Sequence, residues 1–327
     1  MDNRFSLLRL PILAIEEVMR QMNPFEILNF ARASSMKSKK LVQYVMKYRN
    51  IEIGIDIRES STLAIHGPVE YQYTMTSNRD EDGVEKLRKF KTFPRTVYEK
   101  MVYSQGCLLK EFKEIVEFAI ECLSPKIRSF TLQMDNFPGK NLEITDWVKS
   151  HFPSIWWVSL YGKDVSHQEA NSCLEQLKSR NLSIYLETKN NQPVKVPKSV
   201  HQFHINPAKW VTLELLIEFN VVELRIWKGV LKNEELNSFI QKFQNLECHS
   251  NLTRFAFQIE KLEDFTAIVD GIDSLPVHPR RRLQIEENII IEHPGVDIKR
   301  KDGRIATMFP RVFPVCPFFE MRLRNSA

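Results

Sequence analysis

His201-x-x-His204 is the closest this chain comes to a metal-binding pair. Imidazoles at that spacing share a face on a helix, but VHQFHI reads as a strand, where successive side chains turn to opposite or twisted faces. With no third donor nearby, a zinc site lacks its ligands, and structural roles are expected for both rings. Cys248-His249 sets a thiol beside a base, the chemistry of an activated nucleophile. Sequence neighbours seldom face each other productively, and no orienting acid stands close, so this dipeptide is expected in a loop before a strand. The five cysteines, Cys107, Cys122, Cys173, Cys248 and Cys316, are odd in number and widely spaced, without CxxC pairs. They read as reduced packing residues. The chain also lacks GxxxxGK[ST], GxSxG and HExxH motifs, so a non-catalytic protein with no cofactor and no metal is expected.

The charged runs Arg280-Arg281-Arg282 and Lys299-Arg300-Lys301, with Arg304, carry the chemistry that grips phosphate. In a charge-balanced region such runs read first as solvated turns or edge-strand protection, and nucleic acid is not the expected partner. A binding scaffold for RNA or for acidic or phosphorylated proteins, using these strands, is the alternative reading. Trp156-Trp157 should alternate across a strand, one ring filling the core and the other on the opposite face, free to anchor a ligand or a neighbouring helix.

Charge is unevenly placed. The first 50 residues hold nine Lys or Arg against four acids, an excess that equals the net charge of +5 for all 327 residues. An acidic partner is therefore expected at the N-terminus. The composition, 43% hydrophobic and 27% charged, is that of a folded chain. No apolar run reaches the length of about 18 residues that spans a bilayer, and charges interrupt the apolar part of the N-terminus. The cytosol or nucleus, with no membrane partner, is the expected setting.

Three short helices are expected in residues 1–49. Pro11 opens the first, which runs to about Met22. Asn23 caps the second, with Pro24 at its first position and Glu26 completing a capping box. The third follows Ser34-Ser35. On the first helix Ala14, Val18, Met22, Ile15, Met19 and Ile12 form an apolar arc of about 160°. On the second, Leu28, Ala31, Ile27 and Phe30 share a face, with Phe25 off it. This is more apolar surface than three helices can bury, and its cover is either the chain's own following domain or an external partner.

Beyond residue 50 strand and helix signals alternate, and from residue 127 strand-like runs recur every 20 to 30 residues, most followed by a polar turn and a helix: IRSFTLQ, IWWVSLY, LSIYLE, VHQFHI, VVELRIW and LTRFAFQI. IEIGIDI and YQYTM read as earlier strands, and LLKEFKEIVEFAIECL as a helix. The period describes an irregular, leucine-rich-like α/β solenoid over 50–275. Residues 276–327 differ. LQIEENIIIEH, VDIKRK, GRIATMF and FFEMRLR read as short strands with turns at His293-Pro294-Gly295 and Asp302-Gly303, a β-rich cap on the open edge. The fold class is thus α/β, a three-helix module followed by the solenoid and cap.

RLPILAIEEVMRQMNPFEILNFARAS resembles the F-box, and FSLLRLP with NPFEILNF resembles the F-boxes of the large nematode family of F-box proteins. Leu10-Pro11, Ile15, Val18, Met22, Asn23-Pro24, Glu26 and Ile27-Leu28 carry the likeness. WVTLELLIEFNVVELRIWKGVLKNEELNSFIQKFQ is similar to the F-box-associated domain of the second type, a region of about 200–271 here, and VDIKRKDGRIATM resembles the segment that closes such chains. The chain departs from the common pattern in having Leu13 where many F-boxes carry an acid, and no tryptophan in the third helix. The resemblance implies a substrate-recognition subunit of a Skp–cullin–F-box ubiquitin ligase. It would bind a Skp-type adaptor, and through it a cullin, by Leu10, Pro11, Ile15, Val18, Met22, Pro24, Phe25 and Leu28. Its other partner would be a protein target whose identity and contact surface the residues do not specify. Such a subunit needs no catalytic group, because holding a target near the ubiquitin carrier raises the effective concentration of an acceptor lysine.

Overall fold

The structure is a computed structural model, and it describes residues 10–33, 36–47, 49–90, 95–275, 282–286, 289–292, 295–313 and 316–324. The chain divides into two compact units, residues 1–136 and 137–327. Strands and helices mix in both.

The first unit opens with α1 (Ile12–Gln21), α2 (Pro24–Ala33) and α3 (Met36–Met46). The expected cap is present: the Asn23 amide donates to Glu26 Oε2 at 2.7 Å, and the Glu26 amide to Asn23 Oδ1 at 3.0 Å. Ser34 and Ser35, expected to precede the third helix, lie outside the described residues. Five strands follow: β1 (Glu52–Ile57), β2 (Thr62–His66), β3 (Glu70–Thr76), β4 (Glu85–Phe90) and β5 (Arg95–Tyr103). Then come α4 (Leu108–Leu123) and β6 (Lys126–Gln133).

Within this unit the strand order is β6-β1-β2-β3-β5-β4. β1 runs parallel to β6 and β3 to β5, while the other neighbours are antiparallel. Residues 50–103, placed at the start of the expected leucine-rich-like domain of 50–275, thus form a mainly antiparallel stretch without strand–turn–helix units. Their connections are too short to carry a crossover helix, and short links favour antiparallel neighbours. Helix α4 falls where its periodicity places it, burying Leu109, Phe112, Val116, Ala119 and Leu123 along one stripe. Ser124, left-handed at φ 47°, ends it.

In the second unit strands and helices alternate. Its elements are α5 (Asn141–His151), β7 (Ile155–Val165), α6 (His167–Gln176), β8 (Ser179–Thr188), β9 (Gln202–Ile205), α7 (Leu213–Glu218), β10 (Glu223–Ile226), α8 (Asn233–Gln244), β11 (Arg254–Gln258) and α9 (Asp264–Val269). Strands β7, β8, β9, β10 and β11 pair in sequence order, all parallel. Their register aligns two apolar rows. Val158, Leu182, Phe203, Leu224 and Phe255 form one, and Leu160, Ile184, Ile205, Ile226 and Phe257 the other. All ten side chains are buried. Phe239 of α8 lies 4.9 Å from Phe255, so the helices cover this face. Burial of whole rows is the main stabilising term of the unit, at about 25 cal/mol per Å² of apolar surface.

The C-terminal strands are β12 (Arg282–Glu286), β13 (Ile289–Glu292), β14 (Val296–Lys299), β15 (Ile305–Phe313) and β16 (Cys316–Leu323). β16 pairs antiparallel with β11, β15 with β16, and β14 with β15, so the parallel set ends in an antiparallel ribbon at one edge. The Asp302-Gly303 turn forms as its residues predict: Gly303 has φ +86°, and the Arg300 amide donates to the Arg304 carbonyl at 2.9 Å. β12 and β13 pair antiparallel. His293 and Pro294, of the other expected turn, and Arg280 and Arg281 lie outside the described residues.

Candidate functional site

Helix α1 buries only the middle of its apolar arc. Ile15 and Met19 are covered, while the margins remain open, Ile12 at 44% and Val18 at 36% exposure. Leu13 stands at 75% exposure on the polar side. Pro11 is exposed, and Leu10, Met22 and Pro24 are half-buried. Leu28 is buried with Ile27 and Ala31 on the inner face of α2.

Phe25 is a correction to the expected surface. It lies off the α2 face, yet it is buried rather than presented, because strand β3 meets it there. Its ring stands edge-on to Tyr73 at 4.7 Å and to Tyr71 at 5.3 Å. Of the eight residues the resemblance assigns to an adaptor, Ile15, Phe25 and Leu28 thus sit inside this unit. Pro11 and Val18 are at its surface, and Leu10, Met22 and Pro24 are at the boundary between them.

Part of the N-terminal positive charge is used internally. Lys39 pairs with Glu121 at 2.5 Å, and the Arg32 guanidinium lies 5.1 Å from the Phe118 ring centre. Lys37, Lys40 and Lys47 remain exposed.

In the second unit, the sheet face opposite the helices is polar and aromatic. The same register that aligns the apolar rows places Ser159, Ser183, His204, Arg225, Ala256 and Glu320 side by side, with Trp227 and Phe318 in the next row. His204 packs edge-on between Trp157 at 5.2 Å and Trp227 at 5.6 Å. Burial, reinforced by the positive charges of Arg225 and Arg254, pushes its imidazole down to about 3, so it is neutral near pH 7. His201 sits before the strand, half-buried.

At the β11–β16 junction, Glu320 is 2% exposed and gathers three guanidinium groups: Arg322 at 2.7 Å, Arg254 at 2.9 Å and Arg311 at 3.4 Å. Burial alone would raise its carboxyl, but Arg254, Arg322 and Arg311 outweigh it and hold the group below the ordinary glutamate value. Arg225, Trp227, Arg254, Ala256, Arg311, Phe318 and Glu320 line a cleft of about 40 Å³. Small-molecule pockets hold roughly 300–1,000 Å³, so this hollow seats one small group rather than a cofactor. Sequence reasoning missed it. Its arginines are far apart along the chain, and only strand register brings Arg254 and Arg322 opposite one another.

The other sequence candidates resolve as structure. Cys248 and His249 are buried in the loop before β11. Burial lifts the Cys248 thiol to about 11, far from a reactive thiolate, and His249 Nε2 donates to the Leu216 carbonyl. Neither tryptophan fills the helix-covered core. Trp156 is 51% exposed with Arg180 over its ring at 4.7 Å, and Trp157 lies half-buried on the polar face, donating from Nε1 to Ser183 Oγ at 3.1 Å. The basic run at Lys299-Arg300-Lys301 is also corrected. Arg300 is buried 4.6 Å over the Phe243 ring and bonded to Asp302 at 2.7 Å, so it holds the turn and is withdrawn from any surface. Among the described residues no group of three His, Cys, Asp or Glu converges as metal ligands, and no helix is long and apolar enough to cross a membrane.

Residues 194–257, from the segment before β9 into β11, match the family model described as F-box associated. No curated protein and no solved structure matches the chain. The chain therefore contains an F-box-associated domain, whose matched segment includes His204, Arg225, Trp227, Arg254 and Ala256 of the polar face.

Proposed function

We propose that this protein is a non-catalytic substrate-recognition subunit of a Skp–cullin–F-box ubiquitin ligase. Its N-terminal helices would bind a Skp-type adaptor, and its second unit would hold the protein target. The F-box-associated match carries this reading, since that domain takes its description from its association with an F-box. The N-terminal helices support it: a capped helical module leaves Pro11 and the margins of the α1 apolar arc, Ile12 and Val18, exposed, apolar side chains that gain from burial against a partner. The parts of the adaptor surface already covered, at Ile15, Phe25 and Leu28, then act by shaping that helix rather than by contact.

Co-purification with a Skp-type adaptor tests the proposal. Leu10→Ala with Pro11→Ala should remove the adaptor, and Val18→Glu should weaken it, with thermal stability of the chain preserved in each case. Full recovery of the adaptor by both variants, or no recovery by the unaltered chain, would overturn the reading.

A further inference from the structure

Gly54 marks a cleft in the first unit that lies outside the receptor function proposed above. On the paired strands β1 and β6, Ile53 faces Ile127 and Gly54 faces Ser129, so Arg128 is one residue extra, a β-bulge. Ile127 and Phe130, which flank the bulge, are both buried. The extra residue lets Arg128 and Ser129 line one cleft together, where regular alternation would part them. A Cβ at position 54 would stand 2.8 Å from Ser129 Oγ and 3.0 Å from His66 Nε2, so only glycine leaves these two polar atoms close together. With Glu70 and Arg95 among its other walls, the cleft measures about 620 Å³. Small-molecule sites hold roughly 300–1,000 Å³.

Its hydrogen-bonding groups have a defined sense. His66 Nδ1 lies 2.8 Å from Glu70 Oε2, and a carboxylate only accepts, so Nδ1 carries the ring proton. Burial, then the charges of Arg128 and Arg95, bring this imidazole down to about 4 against an upward pull from Glu52, and it is neutral near pH 7. Nε2 is therefore a bare acceptor, buried and without a hydrogen-bond partner among the described residues. Glu70, 4% exposed, is occupied on both oxygens: it also takes Gln72 Nε2 at 2.5 Å and the guanidinium of Arg95. Arg128 reaches Glu52 at 3.5 Å with one nitrogen of an exposed guanidinium. An anion alone is poorly matched here, because both arginines already face a carboxylate and the buried acceptor would stay unmet.

We propose that this cleft binds a small hydroxycarboxylate, whose hydroxyl donates to His66 Nε2 and accepts from Ser129 Oγ while its carboxylate takes the guanidinium of Arg128. The site stands independently of the receptor function. The test titrates the intact purified chain with each enantiomer of malate, following the Cε1–H resonance of His66, assigned through His66→Asn. Saturable displacement of that resonance by one enantiomer is expected. Succinate, which lacks only the hydroxyl, should bind about tenfold more weakly, and sulfate, which offers acceptors alone, should not compete. Arg128→Gln should weaken malate about tenfold. Gly54→Ala sets a Cβ against both polar atoms and should abolish binding. No saturable displacement by either enantiomer overturns the proposal, as does succinate or sulfate binding as tightly as malate, or undiminished binding by Arg128→Gln. Should Gly54→Ala melt early, the malate-over-succinate preference of the unaltered chain and the Arg128→Gln titration decide the matter. Adaptor capture is read separately: its loss with malate still bound overturns the receptor function, and the reverse result overturns only this site.

Discussion

Phe25 stands edge-on to Tyr73, ring centres 4.7 Å apart, and this contact joins helix α2 to strand β3. Phe25→Ala should therefore lower unfolding free energy by about 3 kcal/mol, through lost burial and a cavity beside Tyr71 and Tyr73. Val18→Asp, at a residue with open surroundings, should stay within about 0.5 kcal/mol of the unaltered chain. Denaturant titration of the two variants separates a packing residue from a presented one, and equal losses would contradict the division drawn here.

Asn23 is expected to matter through its cap. Asn23→Ala removes the acceptor for the Glu26 amide and should cost about 1 kcal/mol, while Asn23→Ser should recover most of it. Thermal melts of the pair would show this, and an Asn23→Ala melt equal to that of the unaltered chain would mean the cap is not limiting.

His204 sets a pH dependence. Its folded-state value of about 3 lies below the ordinary histidine value, so between pH 6.5 and 3 the unfolded chain binds a proton that the folded chain excludes. Stability is intact above pH 6.5 and declines as pH falls through that window, by roughly 1–2 kcal/mol at pH 5. Urea titrations at pH 7 and pH 5 measure the slope. His204→Phe, which keeps a ring between Trp157 and Trp227, should flatten it.

Arg300 should be intolerant of change. It is fully buried over Phe243 and donates to Asp302 and to the Ser250 carbonyl, so Arg300→Ala is expected to cost about 3 kcal/mol. Arg300→Lys should restore little, because one ammonium cannot lie flat on the ring and reach both acceptors. Hydrogen exchange at the Asp302-Gly303 turn would register the loss directly.

Much of this architecture was legible from periodicity. The helix at 108–123 and the strands around residues 127, 155, 182, 203, 224 and 255 lie where the residues place them, because long amphipathic and β-branched runs state their own period. β4 and β5 were not legible. EKLRKF is charged and exposed along its whole length, with no buried face to write an alternation into the residues. The fate of Phe25 was hidden for a different reason: a helical wheel ranks residues by the helix's own face and is silent about a strand some fifty positions later. Arg254 and Arg322 escaped notice in the same way, since only pairing across β11 and β16 makes them neighbours.

The bare ribbon of β4 has one more consequence. Among the described residues it lies at the end of its unit's strand order with one edge unpaired by another strand, the arrangement that invites copies to stack edge to edge. Lys86, Arg88 and Lys89 stud that edge with positive charge. Arg88 is held by Glu99 at 2.6 Å and Lys86 lies 3.9 Å from Glu81, so a second copy would have to strip or desolvate charged side chains before any bond could form. The same residues that leave this strand unread in the sequence thus guard it against self-association.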